Sequence, residues 1–217
     1  MLMKAVAVTI SNKPTVVLDA GHGGFDGGAQ DCGINEKEVN LAIAQNTRLL
    51  CELFGFNVVM TREDDLSIHD DGNLSVRAMK RSDLHNRLKL MTADPSSIAV
   101  SIHLNKFPQS YVHGAQVFYA PKSKDGDILA RAIQDSFRLL LQPDNERTIK
   151  KADKNLFILY NNTITPAVIV ECGFISNAEE AQKLADTDYQ KQVAMTVCYS
   201  LMKFKNREES EVTENGY

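Results

Sequence analysis

Four side chains in this sequence have the types that bind a catalytic metal ion or move protons beside one: His22, Glu36, His103 and Glu171. Two neutral imidazoles and one carboxylate can hold a zinc ion and leave a fourth position open to water. Bound zinc lowers the pKa of that water and polarises a carbonyl oxygen. A further carboxylate that is not a ligand can pass the water's proton to a leaving nitrogen. The first three residues fit the ligand set, and Glu171 fits the proton-transfer role.

Each of these residues also has a structural explanation when it is considered alone. A carboxylate such as Glu36 is favoured in the first turn of a helix by the helix dipole, and spacing does not choose between Glu36 and Glu38 as a ligand. Asp26 is a further rival ligand. Glu171 is harder to explain structurally, because it ends an apolar run and burying an unpaired carboxylate is costly. The set is therefore more informative than its members.

Short apolar segments alternate with helical patterns along the chain. Residues 15–20 and 167–171 are β-branched apolar runs typical of buried strands, and residues 36–54 carry apolar side chains at helical spacing. This alternation predicts an α/β fold, a single three-layer domain with a mainly parallel mixed sheet flanked by helices on both faces. Ligands collect beyond the carboxyl ends of the strands in such a sheet, and all four candidate residues are expected at or just past these ends.

Other boundaries are marked less sharply. Residues 62–81 show no clear period and are predicted to form a surface loop before a helix over residues 82–93. Ser176 and Glu179 have the spacing of a capping box that opens a helix. The last helix is predicted over residues 189–204, and a frayed polar tail is expected from residue 206 to 217.

Length and composition limit the classes of protein that this sequence can represent. The chain has 217 residues and a net charge of −4, which argues for one domain and against a nucleic-acid-binding protein. No apolar run approaches the roughly 20 residues of a membrane-spanning helix, and the four cysteines form no CxxC pair. The first residues do not form an intact signal peptide, so the sequence indicates either a cytoplasmic protein or a chain that follows a removed export segment. We expect the domain to cover residues 14–205, with residues 1–13 as an extension after such a segment.

Five sequence blocks together resemble a known family. They run in order along nearly the whole chain and are Val16-Val-Leu-Asp-Ala-Gly-His-Gly-Gly24, Glu36-Lys-Glu-Val-Asn-Leu41, Thr61-Arg62, Ser101-Ile-His-Leu-Asn105 and Glu171-Cys-Gly-Phe-Ile-Ser-Asn177. The combination is similar to the signature of the zinc-dependent N-acetylmuramoyl-L-alanine amidases, the type-3 amidase domain of bacterial cell-wall hydrolases. Each block alone is weak, whereas the ordered set is specific.

The resemblance implies an α/β domain with one catalytic zinc ion. His22, Glu36 and His103 match the family's ligand positions, which favours Glu36 over Glu38, and Glu171 matches its catalytic glutamate. The implied substrate is peptidoglycan, in which the family hydrolyses the amide between the lactyl group of muramic acid and L-alanine of the stem peptide.

Three further residues are expected to support the site. Arg87 resembles the family's arginine that precedes the third-strand block. Asn105 and Asn177 follow His103 and Glu171 in their blocks, and we expect them to orient the loops that carry those two residues.

The resemblance also bears on regulation and location. Some family members carry a long inhibitory helix after the second strand, but residues 62–82 are too few for one, so an open zinc cleft is predicted. The chain has no wall-binding repeats, which resembles the spore-cortex subgroup that removes stem peptides so that muramic acid can become muramic δ-lactam. We therefore expect an extracytoplasmic protein that is localised by a missing anchor or by an accessory protein.

Two other functions fit the same residues less well. A zinc carboxypeptidase-like peptidase would need a pocket for a terminal carboxylate, and the sequence shows no clear fork of arginines for one. A catalytically degenerate cell-wall-binding protein would be expected to lack candidate residues, whereas all four are present.

Overall fold

The computed structural model describes residues 13–214, with side chains described as far as residue 207. Most of the predicted amino-terminal extension and the last residues of the predicted tail lie outside the described residues. The strands are β1 (Thr15–Ala20), β2 (Gln30–Asp31), β3 (Ile34–Asn35), β4 (Asn57–Met60), β5 (Ile98–Asn105), β6 (Gln116–Tyr119), β7 (Lys150–Lys151) and β8 (Ala167–Phe174). The helices are α1 (Glu36–Leu53), α2 (Val76–Met91), α3 (Gly126–Leu140), α4 (Phe157–Tyr160), α5 (Ala178–Ala185) and α6 (Thr187–Glu214).

Six of the strands form one sheet in the order β4-β1-β5-β8-β6-β7. Strands β4, β1, β5 and β8 are parallel, whereas β6 runs antiparallel to β8 and pairs in parallel with β7 at the far edge. Strands β2 and β3 form a separate antiparallel pair just before α1. The predicted α/β domain with a mainly parallel mixed sheet is therefore confirmed.

Alternate side chains of the central strands point to opposite faces of the sheet. Leu18 and Val100 pack in the larger core with α1, α3 and α6, whereas Val17 and Ala99 pack in the smaller core with α2 and α4. Burial on both faces explains why these strands are apolar along their length instead of alternating with polar residues.

The same alternation positions the polar side chains near the carboxyl ends of the parallel strands. Asp19, Ser101, His103, Glu171 and Gln116 follow the register of the residues that face the smaller core. Because side chains alternate with a period of two, a slip of one residue in any of these strands would turn its polar side chain to the opposite face.

Helix α2 begins at Val76, and the predicted loop over residues 76–81 is wrong. Ser75 caps the helix by accepting a hydrogen bond from the backbone amide of Ala78 at 3.3 Å. The buried residues of this helix are Asp83, Arg87 and Met91, of which two are charged. A helix that buries charged side chains shows almost no apolar period, which is why the pattern did not reveal its first turns.

Two strands and the last helix extend further than predicted. Strands β5 and β8 continue past His103 and Glu171, so both residues lie inside strands, whereas His103 was expected just after its strand and Glu171 at the end of its strand. Helix α6 continues through Glu214, so the backbone of the predicted tail is helical over residues 206–214 and the expected boundary at residue 205 falls within a helix.

The predicted capping box at the start of α5 is also wrong. Asn177, not Ser176, caps this helix, because its side-chain oxygen accepts hydrogen bonds from the backbone amides of Glu179 and Glu180. The hydroxyl of Ser176 instead accepts a hydrogen bond from the backbone amide of Phe107. Among residues 13–214, none of the helices is long and apolar enough to cross a membrane.

Candidate active site

The predicted ligand residues converge at the carboxyl ends of β1 and β5. His22 lies in the loop after β1, Glu36 is the first residue of α1, and His103 is on β5. Their ligand atoms all lie within 4.8 Å of one another, and no other such group of His, Cys, Asp and Glu side chains occurs among the described residues. Oε1 of Glu36 is 3.3 Å from Nε2 of His22 and 3.0 Å from Nδ1 of His103.

Glu36 is buried, and backbone amides hold its carboxylate in place. Its Oε2 accepts a hydrogen bond of 2.7 Å from Ala29, and its Oε1 accepts one of 3.1 Å from Leu104. Burial by itself would raise the pKa of Glu36, but the hydrogen bonds with His103 and His22 outweigh it and hold that pKa well below its usual range. Glu36 is therefore ionised, as a metal-binding carboxylate must be.

His22 has a strained backbone and a fixed ring. Its φ of +62° is uncommon for a residue with a side chain. Nδ1 lies 3.0 Å from Oδ2 of Asp26, which leaves Nε2 directed toward Glu36. Burial would lower the pKa of His22, but the hydrogen bonds with Asp26 and Glu36 raise that pKa to about 9.

Asp26, the rival ligand, lies behind the imidazole and not among the converging atoms. Its second carboxylate oxygen is 2.9 Å from Nζ of Lys80. The hydrogen bond with His22 holds the pKa of Asp26 below its usual range, so the carboxylate is charged. Glu38, the other alternative, is exposed and hydrogen-bonded to Asn35. Glu36, and not Asp26 or Glu38, therefore belongs to the group of converging atoms, and Asp26 contacts the other side of the His22 ring.

Two glycines permit the close approach of the ligand side chains. A Cβ atom at Gly21 would collide with the imidazole ring of His103. A Cβ atom at Gly28, whose φ is +69°, would lie 2.6 Å from Oε2 of Glu36. Any larger residue at these two positions would push the ligands apart.

Glu171 faces the site from β8, the strand next to β5. It is paired in register with His103, so the two side chains lie on the same face about 5 Å apart. Its Oε2 is buried and has no hydrogen-bond partner among the described residues. Burial raises the pKa of Glu171 to about 7, against the opposing charge of His103. A carboxyl group with this pKa can both accept and donate a proton near neutral pH.

Arg87 is buried beneath the site and connects α2 to the end of β1. Its guanidinium lies 2.5 Å from a carboxylate oxygen of Asp19 and 2.6 Å from one of Asp83. It also donates hydrogen bonds to the backbone oxygens of Ala20 and His22 at 2.8 and 2.6 Å. Arg87 thus supports the turn that carries His22 and does not lie among the ligand atoms.

Asp19 is fully buried at the centre of this network, although no role was predicted for it. Its carboxylate accepts hydrogen bonds from the hydroxyls of Thr61 and Ser101 as well as from Arg87. Burial would raise the pKa of Asp19, but Arg87 and the two hydroxyls lower it to about 2. The available signal was a charged residue inside an otherwise apolar strand, which is costly unless the charge is paired.

Arg62 is also buried, and unlike Arg87 it had no predicted role. Its guanidinium donates hydrogen bonds to the backbone oxygens of Ala20, Gly21 and Lys37 at 2.8, 3.1 and 2.7 Å. These bonds join the end of β1 to the first turn of α1. Arg62 therefore helps to set the spacing between the elements that carry His22 and Glu36.

Of the two predicted supporting asparagines, only Asn177 makes side-chain hydrogen bonds among the described residues. Asn105 accepts a hydrogen bond from the amide of Ile175 through its backbone oxygen at 2.9 Å, and its side chain has no hydrogen bond within the part of the chain that the structure describes. Asn177 orders the loop after Glu171 by capping α5.

The two converging imidazoles are partly exposed to solvent. Residues 61–75, between β4 and α2, contain no helix. The side chains of His22 and His103 remain 25% and 18% exposed. Both imidazoles can therefore be approached from solvent.

Comparison with known proteins identifies the architecture that carries this site. The family model Amidase_3, described as N-acetylmuramoyl-L-alanine amidase, matches residues 16–203. The chain belongs to the N-acetylmuramoyl-L-alanine amidase family. As a member of this family, it is an amidase that acts on the bond between N-acetylmuramic acid and L-alanine in peptidoglycan. The resemblance drawn from the five sequence blocks is confirmed.

Individual relatives agree with this assignment. The germination-specific N-acetylmuramoyl-L-alanine amidase of Bacillus subtilis is 35% identical over 190 residues, which cover 87% of this chain and 78% of the relative. The CwlD amidase from Clostridioides difficile, solved in complex with the GerS lipoprotein, has a TM-score of 0.85 at 36% identity over 89% of this chain and 99% of that one. The amidase AmiC2 of Nostoc punctiforme has a TM-score of 0.75 at 27% identity, with 90% and 99% coverage.

Proposed function

We propose that this amidase is zinc-dependent, with His22, Glu36 and His103 binding the metal and Glu171 transferring protons. The observation that carries the proposal is the unpaired Oε2 of Glu171, buried on β8 beside the converging ligand side chains. A buried carboxyl oxygen without a partner is costly in a purely structural role. Its position is explained if a water molecule and the substrate's amide nitrogen occupy the space beside it during the reaction.

The donor set suits zinc. Two imidazoles and one carboxylate are a ligand set of catalytic zinc sites that keep an open position. The ionised state of Glu36 and the bond between Asp26 and His22 prepare two of the donors. When bound there, zinc would polarise the scissile carbonyl oxygen and acidify a water molecule.

Glu171 carries the proton through the reaction. Its carboxylate takes a proton from the attacking water as the new C–O bond forms at the lactyl carbonyl carbon. It then gives that proton to the nitrogen of L-alanine as the C–N bond breaks. The products are a free lactyl carboxyl group and a stem peptide with a free amino terminus. A pKa near 7 suits both transfers.

Mass spectrometry of digested peptidoglycan tests this proposal. We expect the purified chain to release whole stem peptides that begin with a free L-alanine amino group. A chelator should abolish the release, and added zinc should restore it. Release of shortened peptides would indicate a peptidase instead, and release that survives chelation would contradict the metal's role.

We further propose that the natural substrate is spore-cortex peptidoglycan, in which removal of stem peptides prepares muramic acid for conversion to muramic δ-lactam. The similarity to the germination-specific amidase of Bacillus subtilis and to CwlD supports this assignment. Deleting the gene in its source organism should remove muramic δ-lactam from the cortex and leave stem peptides attached. Unchanged δ-lactam content would contradict the spore-cortex role.

An extracytoplasmic location and an accessory protein complete the proposal. Peptidoglycan lies outside the cytoplasmic membrane, so the enzyme must act there. The CwlD relative was solved with the GerS lipoprotein, and we infer that a lipoprotein of this kind localises the present chain. Size-exclusion chromatography of the chain with the equivalent lipoprotein of its own organism should give a stable complex, and separate elution would count against this partner.

A further inference from the structure

Arg147, a positively charged residue, lies near Glu171 on the side away from His103. His103, Glu171 and Gln116 are neighbours in register on β5, β8 and β6. The guanidinium of Arg147 donates a hydrogen bond to Oε1 of Gln116 at 3.3 Å. Adjacent strands are about 5 Å apart, so these three residues form a row that runs from His103 through Glu171 to Gln116. The guanidinium of Arg147, bonded to Gln116, therefore lies within roughly 10 Å of Glu171.

Contacts within the protein hold this guanidinium in one orientation. Its Nε donates a hydrogen bond of 2.7 Å to the backbone oxygen of His113. The guanidinium carbon lies 4.5 Å from the centre of the Phe174 ring. With the bond to Gln116, these contacts fix Arg147 before any ligand arrives, which reduces the entropy lost on binding.

Among the described residues, Arg147 has no ion pair. The charge of Glu180 favours the protonated form of Arg147, but the two side chains form no ion pair. The Glu180 carboxylate instead accepts hydrogen bonds from the backbone amides of Gly114 and Phe174 at 2.9 and 2.8 Å. Arg147 also lines a cavity of about 360 Å³. The acidic residues of this cavity, Asp144 and Glu146, are exposed and do not contact the guanidinium.

We propose that Arg147 is a specificity residue that binds a carboxylate of the stem peptide on the leaving-group side of the scissile amide. This inference rests on the proposed function. An extended peptide spans about 3.5 Å per residue, so the distance from Glu171 to Arg147 suits a group two or three residues into the stem. A fixed guanidinium without a counter-ion binds a carboxylate through charge-assisted hydrogen bonds and gains much less from a neutral amide.

Two synthetic muramyl peptides test this inference. They are identical except that the residue after L-alanine carries either a free α-carboxylate or an α-carboxamide. We expect the zinc-loaded full chain to cleave the carboxylate peptide with a kcat/KM at least about tenfold higher, mainly through a lower KM. Arg147→Gln should lose this preference, because glutamine can still donate to His113 but carries no charge, and Arg147→Lys should keep part of it. Arg131→Gln, on the exposed side of α3, is the matched control.

The comparison within each protein separates specificity from folding. A variant that loses folded protein or metal cleaves both peptides more slowly but keeps the ratio. A wild-type enzyme without preference, or an Arg147→Gln variant that keeps the wild-type ratio, would overturn the inference. If the wild-type enzyme cleaves neither peptide, the proposed function fails instead, and calorimetric affinities of the two peptides for the wild-type and Arg147→Gln proteins decide the role of Arg147.

Discussion

Glu36 and Glu171 are glutamates beside the same two histidines, yet their surroundings move their pKa values in opposite directions. Glu36 accepts hydrogen bonds from backbone amides and is lined by imidazoles, which favours its charged form. Oε2 of Glu171 is buried without a hydrogen bond, and this desolvation favours the neutral form of the carboxyl group. Two carboxyl groups whose environments separate their pKa values are suited to different tasks, which agrees with the proposed roles of Glu36 as metal ligand and Glu171 as proton carrier.

The first prediction at this scale concerns Glu171→Gln. The substitution keeps the size of the side chain but removes the group that exchanges protons, so turnover of muropeptides should fall by about 10²- to 10⁴-fold. Zinc content, measured by mass spectrometry of the metal, should remain one ion per chain. Glu179→Gln, at an exposed position on α5, is the control. Wild-type turnover by Glu171→Gln would exclude the proposed mechanism.

A second prediction concerns the orientation of His22 by Asp26. Asp26→Asn weakens the hydrogen bond to Nδ1 and removes the charge behind the ring, so zinc affinity should fall about 10- to 100-fold. Competition with a chromophoric chelator measures this change. Glu38→Gln should leave the affinity unchanged, because Glu38 is exposed and lies outside the converging atoms. A larger effect of Glu38→Gln than of Asp26→Asn would mean that the ligand set has been assigned wrongly.

At the scale of elements, a buried ion pair ties α2 to β1 below the ligands. Asp19 on β1 and Arg87 on α2 are both nearly excluded from solvent. Removing one partner of such a pair leaves a buried charge without compensation, which typically destabilises a fold by about 3–5 kcal/mol. Because Arg87 also bonds to the backbone of His22, damage to this pair should reach the site.

This pair predicts a specific loss of stability in acid. The pKa of Asp19 is about 2 in the folded protein, against 3.8 for an aspartate in the unfolded chain. Stabilisation of about 2 kcal/mol is therefore complete above roughly pH 4 and is lost as the pH falls toward 2. Denaturant unfolding between pH 5 and 2 should show a shallower decline for Asp19→Asn than for the wild type. The exposed variant Asp71→Asn should keep the wild-type decline, and equal slopes for all three proteins would refute the assignment.

At the scale of the whole molecule, the proposed ligand residues join three separate elements. They come from the loop after β1, from the start of α1 and from β5. A metal ion bound by all three would therefore stabilise the folded state against unfolding as a whole, since the unfolded chain cannot present the same set.

Thermal unfolding with and without a chelator measures this linkage. With free zinc at about 100 times its dissociation constant, we expect chelation to lower the midpoint by roughly 5–10 °C. His103→Ala should unfold at the same temperature under both conditions. A chelator-dependent shift that persists in His103→Ala would show that the stabilising metal is bound elsewhere.

The sequence was sufficient to predict the elements that bury apolar side chains. The β-branched runs predict β1 and β8, and the apolar period over residues 36–54 predicts α1, because these patterns report burial directly. The same reasoning fails for α2, where the buried face carries Asp83 and Arg87 and no apolar period marks the first turns. The ends of β5 and β8 were missed because His103 and Glu171 interrupt the apolar runs before the strands end.

The amino-acid sequence alone determined the fold class, since apolar runs and periods are a local property. It also predicted His22, Glu36, His103 and Glu171 as candidate site residues, with the choice of Glu36 over Glu38 resting on the family resemblance. Only the tertiary structure decided which side chains support them. Asp19 and Arg87 are 68 residues apart, and Gln116 and Arg147 are 31 apart. Such contacts depend on strand order and register, which arise from packing across the whole sheet and leave no local pattern in the chain.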